Sequence, residues 1–373
     1  MGTDIRIHNK SDKPDNIIYK EIVTEEQCSA LEEQMPSFLR GFFRYLRGNL
    51  LPLSRLGYLR DITFFLHYLV NETDLTDAAL PRDIKLKDFS GIKAVDINIF
   101  LDYARKYKVE KENGTYIYQN DNKSLARKRS SLSVLFKFLY RDELVPKNIT
   151  DGFDPIRLPK AGDKEIKALH DDEVMVMLDA AANGTGLSKK ELQYWNKTKL
   201  RDRAVLLIFV TYGLRLSELH QLNLSSFNFS RDEFKIFRKR GKETSMPISE
   251  SVRRALDEYI ASERPMPAMD EDGAQADADA LFLSLQGRRM TERQIREMVK
   301  KYTSIALGTE RTAGYSPHKL RATTATSLIE RGNSIFDVQE LLNHDNITTT
   351  QLYAQHRNNA KRELIKDMEW DEE

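Results

Sequence analysis

Residues 316–353 read SPHKLRATTATSLIERGNSIFDVQELLNHDNITTTQLY. His318 and Arg321 stand three apart, so they share one face of a helix whose apolar positions Leu320, Ala325, Leu328 and Ile329 can pack inward. A second short helix, Ile335 to Leu342, closes at Asn343, a residue type that tolerates the left-handed conformation that ends helices. His344 therefore emerges at a helix end, and Tyr353 sits on the next segment, free to face the same cleft. Two imidazoles, a guanidinium and a phenol gathered around one point suggest phosphate chemistry.

The stretch lies near the end of a sequence of 373 residues, long for one domain and comfortable for two. With 40% hydrophobic and 31% charged residues it can bury substantial cores and is expected to be soluble. The formal net charge of +1 hides a segregation of bases from acids. Lys123, Arg127, Lys128 and Arg129 form one basic run without an acid, and Lys235, Arg238, Lys239, Arg240 and Lys242 form another. Acids crowd Met269 to Ala280, which reads as a solvated loop. Local basic stripes on a neutral total are compatible with binding a polyanion. A single cysteine, Cys28, excludes an internal disulfide framework, suits a reducing cytoplasm, and reads as an inert residue near a mobile terminus. No apolar run approaches the roughly 18 residues of a membrane span, and the start lacks a signal-peptide core.

In chain order, residues 1–25 are polar and weakly patterned and are expected to form a disordered lead-in. Helical stripes follow: Phe38, Leu39, Phe42, Phe43 and Leu46; then Leu56, Leu59, Ile62, Phe65 and Leu69 on a helix that Ser54 caps. A third helix spans about Asp96 to Lys106. A fourth, Ser124 to Arg141, buries Leu125, Leu132, Leu135, Phe136 and Leu139 and exposes the first basic run. Those cations lack acids at i+4 and repel one another unless a phosphate surface lies opposite.

Residues 26–150 thus read as a helical domain, 151–168 as a linker rich in Pro, Gly and charge, and 169–373 as a second domain. The second domain opens with a capped helix over His170 to Ala181 and a small insertion, Gly184 to Trp195. A buried helix over Arg201 to Tyr212 and strands at Phe227 to Phe229, Phe234 to Arg238 and Thr244 to Ile248 come next. Arg240-Gly241 makes a turn between the last two strands, and a further helix covers Thr291 to Leu307. The expected fold is mainly α with a small antiparallel sheet in the second domain.

Two more cationic positions join the opening stretch: Arg215 in TYGLRLSEL, with Glu218 able to steady either its backbone or its guanidinium, and Lys239 in FRKRGKETSMPI. GLRLSEL, RKRGKETSMPI, HKLR, LLNH and Tyr353, in that order, resemble the tyrosine recombinase and integrase family, and SLARKRSSLSVLFKFLYRDELVPKN resembles the last helices of its core-binding domain. Any one motif is weak; five in order and spacing are not. Asn343 departs from the glycine that commonly precedes the family's histidine.

The resemblance implies a two-domain clamp around double-stranded DNA, with four protomers exchanging strands on two sites through a Holliday junction. It assigns Arg215 and Arg321 to the scissile phosphate, which a planar guanidinium fork fits. It makes Lys239 the acid for the departing 5′ oxygen, has His318 position or deprotonate the nucleophile, and lets His344 bond a non-bridging oxygen. Tyr353 becomes the nucleophile of a 3′-phosphotyrosine. Lys123, Arg127, Lys128, Arg129, Arg238 and Arg240 are the expected DNA-backbone cations. No cofactor or metal is implied, and the chain carries no P-loop and no two-metal carboxylate cluster. Xer-like chromosome-dimer resolution and mobile-element integration both fit, an accessory activator is left open, and Arg357 to Trp370 is a candidate helix for docking on a neighbouring protomer. A DNA-binding regulator, built on a helix-turn-helix reading of IFDVQELLNHDNITTTQLY, leaves Arg215, Lys239 and HKLR without a purpose.

Overall fold

The computed structural model describes residues 13–158, 166–238, 243–269, 275 and 277–343. The chain divides into two compact units, Met1–Pro159 and Lys160–Glu373. Both are mainly helical, and among the described residues no helix is long and apolar enough to cross a membrane.

The first unit carries α1 (Asp15–Glu32), α2 (Arg40–Asn49), α3 (Pro52–Glu72), α4 (Leu86–Gly91), α5 (Ala94–Arg105), the strands β1 (Lys106–Lys111) and β2 (Gly114–Gln119), and α6 (Asn122–Arg141). The apolar stripes read from the sequence meet in one core: Leu39, Phe42 and Leu46 of the α2 region, Leu59, Ile62 and Phe65 of α3, and Leu132, Leu135 and Phe136 of α6 are all buried. Three expectations change. The disordered lead-in is helical from Asp15, because Ile17 and Cys28 are buried and Arg55 of α3 pairs with Glu25. Cys28 lies in the core rather than at a loose end, and burial pushes its thiol pKa up. Ser54 does not cap α3: the helix begins at Pro52, whose missing N–H costs nothing in the first turn.

The β1–β2 hairpin has no counterpart among the expected elements. Its signal is nonetheless in the sequence, since Tyr107 and Val109 alternate with polar residues and Asn113-Gly114 is a common hairpin turn pair; the pairing is carried by Tyr107 facing Tyr118 and Val109 facing Tyr116. Tyr107 also stacks against Phe64 and Tyr103 at the hairpin base.

The second unit carries α7 (Asp171–Asn183), α8 (Lys189–Trp195), α9 (Lys199–Tyr212), α10 (Leu216–His220), β3 (Phe227–Asn228), β4 (Glu233–Phe237), β5 (Glu243–Pro247), α11 (Glu250–Ser262), α12 (Glu292–Ala306), α13 (Pro317–Glu330) and α14 (Ile335–Leu342). The three strands form an antiparallel sheet in the order β3-β4-β5, with Phe234 opposite Met246. The core gathers α9, α11 and α12 around Val205, Phe209, Leu256, Tyr259 and Tyr302. Asp202 is buried in it and satisfied by Arg201, Tyr302 and Lys301.

The expected linker is shorter than 151–168. Phe153 is buried in the first unit, with Arg129 donating to its carbonyl, whereas Ile166, Ala168 and Leu169 pack on the second. The supposed insertion is α8 with its lead-in: Gly184 ends α7 in the left-handed region, Trp195 donates to the Ala181 carbonyl, and Glu191 receives Arg311. The acidic stretch is not all solvated, since Asp279 accepts from Ser225 and Asp277 stands near Arg289.

Candidate active site

The site is built where α9, α10, α13 and α14 converge. Helix α9 is buried along Ala204, Val205, Ile208 and Phe209 and stops at Gly213, which adopts φ +57° and returns its N–H to Phe209. Glycine is required here twice over. A left-handed residue with a side chain is strained, and a Cβ at Gly213 would lie 2.5 Å from Leu342 Cδ2 of α14.

Two residues on, Arg215 opens α10. Glu218 answers both alternatives posed by the sequence: one carboxylate oxygen accepts from the Arg215 N–H and the other from its Nη1, each at 2.8 Å. Glu218 is buried, while the Arg215 side chain keeps 35% exposure. A buried carboxylate thus fixes a guanidinium that still reaches solvent.

Helix α13 starts with Pro317 at its first turn and carries His318, exposed, one turn before Arg321, buried. Its inner face holds Leu320, Ala325 and Ile329, and Thr324 donates to the last carbonyls of α9. Arg321 Nη1 donates to the Gly213 carbonyl at 2.6 Å, and its Nη2 donates to the Leu342 carbonyl.

Helix α14 runs over Ile335–Leu342 and ends at Asn343, whose φ of 48° is the left-handed closure that an asparagine accepts. The Asn343 N–H satisfies the carbonyls of Gln339 and Glu340. The next three carbonyls each receive a different arginine: Leu341 from Arg238 at 2.9 Å, Leu342 from Arg321, and Asn343 from Arg215 at 3.2 Å. Carbonyls at a helix C-terminus lack intrahelical partners and carry partial negative charge, so guanidiniums suit them. Three arginines distant in sequence are thereby drawn to one turn, immediately ahead of position 344.

The expected DNA-backbone cations fare unevenly. Lys123 is exposed and Arg127 is half exposed. Lys128 is buried: it lies 3.3 Å from Asp61 of α3 and over the Phe64 ring. Arg127 also pairs with Asp61, at 2.5 Å, and Ser131 donates to the same carboxylate. The acid missing at i+4 is supplied across the helix interface, so this run does not need a phosphate to be neutralised. Arg129 is occupied by the carbonyls of Phe153 and Asp154. Arg238 is only 4% exposed and donates to the Leu341 carbonyl, so it is not the exposed backbone cation that its place in the basic run suggests. Spacing already holds this signal: Lys128 falls between Leu125 and Leu132 on the inward stripe, and Arg238 continues the buried alternation of Phe234 and Ile236. Lys239, Arg240, His344, Tyr353 and the segment Arg357 to Trp370 lie outside the described residues.

Residues 167–360 match the family model described as the phage integrase family. A tyrosine recombinase XerC of Natranaerobius thermophilus is 31% identical over 85% of this chain and 96% of its own length. The chain belongs to the phage integrase family. It is a tyrosine recombinase, an enzyme class that cleaves and rejoins DNA. A XerC of Syntrophus aciditrophicus is 29% identical over 86% of the recombinase described here and 93% of its own length. In fold, it is similar to a XerH site-specific recombinase bound to a palindromic difH substrate, with 18% identity, a TM-score of 0.61, and coverage of 98% and 92% of the two chains. The Tn1549 transposon integrase in complex with transposon right end DNA aligns with a TM-score of 0.59 at 19% identity, over 92% of this chain and 99% of that one.

Proposed function

We propose that this enzyme recombines double-stranded DNA at specific sites through a 3′-phosphotyrosine at Tyr353 and a Holliday junction, and that it resolves chromosome dimers in the cytoplasm. The observation that carries the reading is the meeting of Arg215 and Arg321 at the carbonyl end of α14. Guanidiniums held in place before substrate arrives stabilise charge developing on a phosphoryl group without reorganisation at the moment of reaction.

In this reading Arg215 and Arg321 take the non-bridging oxygens of the scissile phosphate. The Tyr353 oxygen attacks phosphorus as the bond to the 5′ oxygen breaks, and Lys239 gives that oxygen a proton. His318 positions or deprotonates the phenol, and His344 bonds a non-bridging oxygen. A free phenol has a pKa of about 10, and neighbouring cations favour its phenolate. The released 5′ hydroxyl of a partner strand reverses the step, so ligation draws on the phosphotyrosine bond rather than on ATP. Four protomers on two sites complete the exchange. Of the expected backbone cations, Lys123 and Arg127 remain the candidates in the first unit, because they alone of its basic run stay substantially exposed.

The XerC relatives support chromosome-dimer resolution. Integration of a mobile element is the second reading, supported by the alignment with 99% of the solved fragment, residues 82–397, of the Tn1549 integrase. Nicked suicide duplexes, their site selected from random duplexes by binding to the wild-type chain, test the chemistry. Wild-type protein becomes covalently attached and Tyr353→Phe binds without attachment. Attachment that persists in the variant reassigns the nucleophile, and none by wild type on the selected site overturns the reading.

A further inference from the structure

Arg238 follows β4 and is buried, yet it has no ion-pair partner among the described residues. Its Nη2 donates to the Leu341 carbonyl at 2.9 Å and lies 3.8 Å from Met246 Sδ. Its Nε and Nη1 are buried and make no hydrogen bond among the described residues. The carboxylate in its neighbourhood, Glu218, is already taken by Arg215. Burial pushes the pKa of Arg238 down, Glu218 works against that, and Arg215 adds to it. A guanidinium kept charged under these conditions is expensive and calls for a purpose.

Its place suggests one. Two carbonyls at the end of α14, those of Leu341 and Leu342, have no partner within the helix or its closing residue. Arg321 takes the second and Arg238 the first. Without Arg238, the side-chain hydrogen bonds to these last carbonyls among the described residues are those of Arg321 and Arg215 alone. The N–H groups these arginines do not spend on carbonyls keep directions set by where the turn lies.

Resting on the recombinase reading above, we propose that Arg238 is a positioning residue of the active site: it anchors the carbonyl end of α14 through Leu341 so that Arg215 and Arg321 are held in register for the scissile phosphate. It acts through them and does not itself touch DNA. Misplacement of reacting groups by about an ångström costs on the order of a hundredfold in rate, which sets the expected scale.

The test uses the full-length protein and the nicked suicide duplex. Arg238→Met should lower the single-turnover rate of attachment at saturating DNA by about ten- to a hundredfold, with the Kd for duplex unchanged within about twofold. The same substitution on an Arg321→Lys background should cost less than about threefold, because the two act as a unit. Should Arg238→Met lack the wild-type circular dichroism spectrum, Arg238→Gln carries the same two comparisons. A rate equal to wild type overturns the proposal, as does a loss that multiplies in full on the Arg321→Lys background or that tracks a matching loss of DNA affinity. Wild-type protein that never attaches overturns the recombinase reading and this inference with it. Attachment by wild type and variant alike overturns this inference alone.

Discussion

Arg321 on α13 donates to the Gly213 carbonyl at 2.6 Å, two residues ahead of Arg215, and its other nitrogen caps Leu342. One buried guanidinium therefore ties the end of α9 to the end of α14, and the position of each arginine depends on the other.

Replacing that fork tests the tie. Arg321→Lys supplies one ammonium for two buried carbonyls, leaving one unpartnered at a cost of about 1–3 kcal/mol. Thermal unfolding should shift down accordingly, and attachment to suicide DNA should fall by about a hundredfold or more. Unfolding that matches wild type would show the two carbonyls to be satisfied without Arg321.

Gly213→Ala addresses the same junction from the other side. The left-handed backbone costs roughly 1–2 kcal/mol for a residue with a side chain. The new methyl also meets Leu342 Cδ2 at 2.5 Å, so the buried Leu342 side chain at the end of α14 must shift. The expectation is a stability loss of about 2–3 kcal/mol in denaturant titration, with an activity loss larger than the unfolded fraction accounts for. Proportional losses of stability and activity would sever the link between this glycine and the arginines.

Glu191 and Arg311 tie α8 to the segment that leads into α13. Burial alone would raise the Glu191 pKa, but Arg311 and the Ser188 N–H hold it down to about 2 from an ordinary 4.5. A depressed carboxylate adds stability above its unfolded pKa, and that stability is lost as pH falls from about 4.5 toward 2. The pair is partly exposed, so screening leaves about 1–2 kcal/mol. Glu191→Gln should be less stable than wild type at pH 7, with the difference closing at acid pH. A gap that is constant with pH would assign the effect to packing instead.

The helices are legible in the sequence because long apolar stripes leave few alternatives: α14 spans the residues its pattern predicts, and Asn343 closes it in the conformation expected of asparagine. Motifs suffice to name Arg215 and Arg321, but their meeting at the end of α14 depends on hydrogen bonds that span 128 and 21 residues, to which no local pattern gives access. Charge is less legible than apolarity. A lysine or arginine in a basic run reads as exposed, although the helical period places Lys128 inward and the strand period places Arg238 inward. The neutralising Asp61 stands on another helix, 67 residues before Lys128, and only packing reveals it. The β1–β2 hairpin carries its own signals, Tyr107 and Val109 alternating with polar residues and Asn113-Gly114 at the turn, but its faces are mostly exposed, so no strong apolar run draws the eye to it.

Within α6, this split between buried and exposed cations should be visible in DNA binding. Every phosphate that a protein neutralises adds about one to the slope of log affinity against log salt, so removing a DNA-facing cation flattens the slope by about that amount. Lys123 is exposed and has no ion-pair partner among the described residues, so Lys123→Ala should flatten the slope and weaken binding at low salt while leaving stability unchanged. Lys128 is committed to Asp61 and Phe64, so Lys128→Met should leave the slope unchanged. Asp61→Asn removes the carboxylate that Arg127, Lys128 and Ser131 share, and is expected to cost about 3–5 kcal/mol because the buried Lys128 loses its counter-charge. Salt titrations by fluorescence anisotropy on one duplex compare all three. If Lys128→Met flattens the slope as much as Lys123→Ala does, Lys128 leaves its buried site on binding and reaches the backbone, and the division between structural and DNA-facing cations in this helix is wrong.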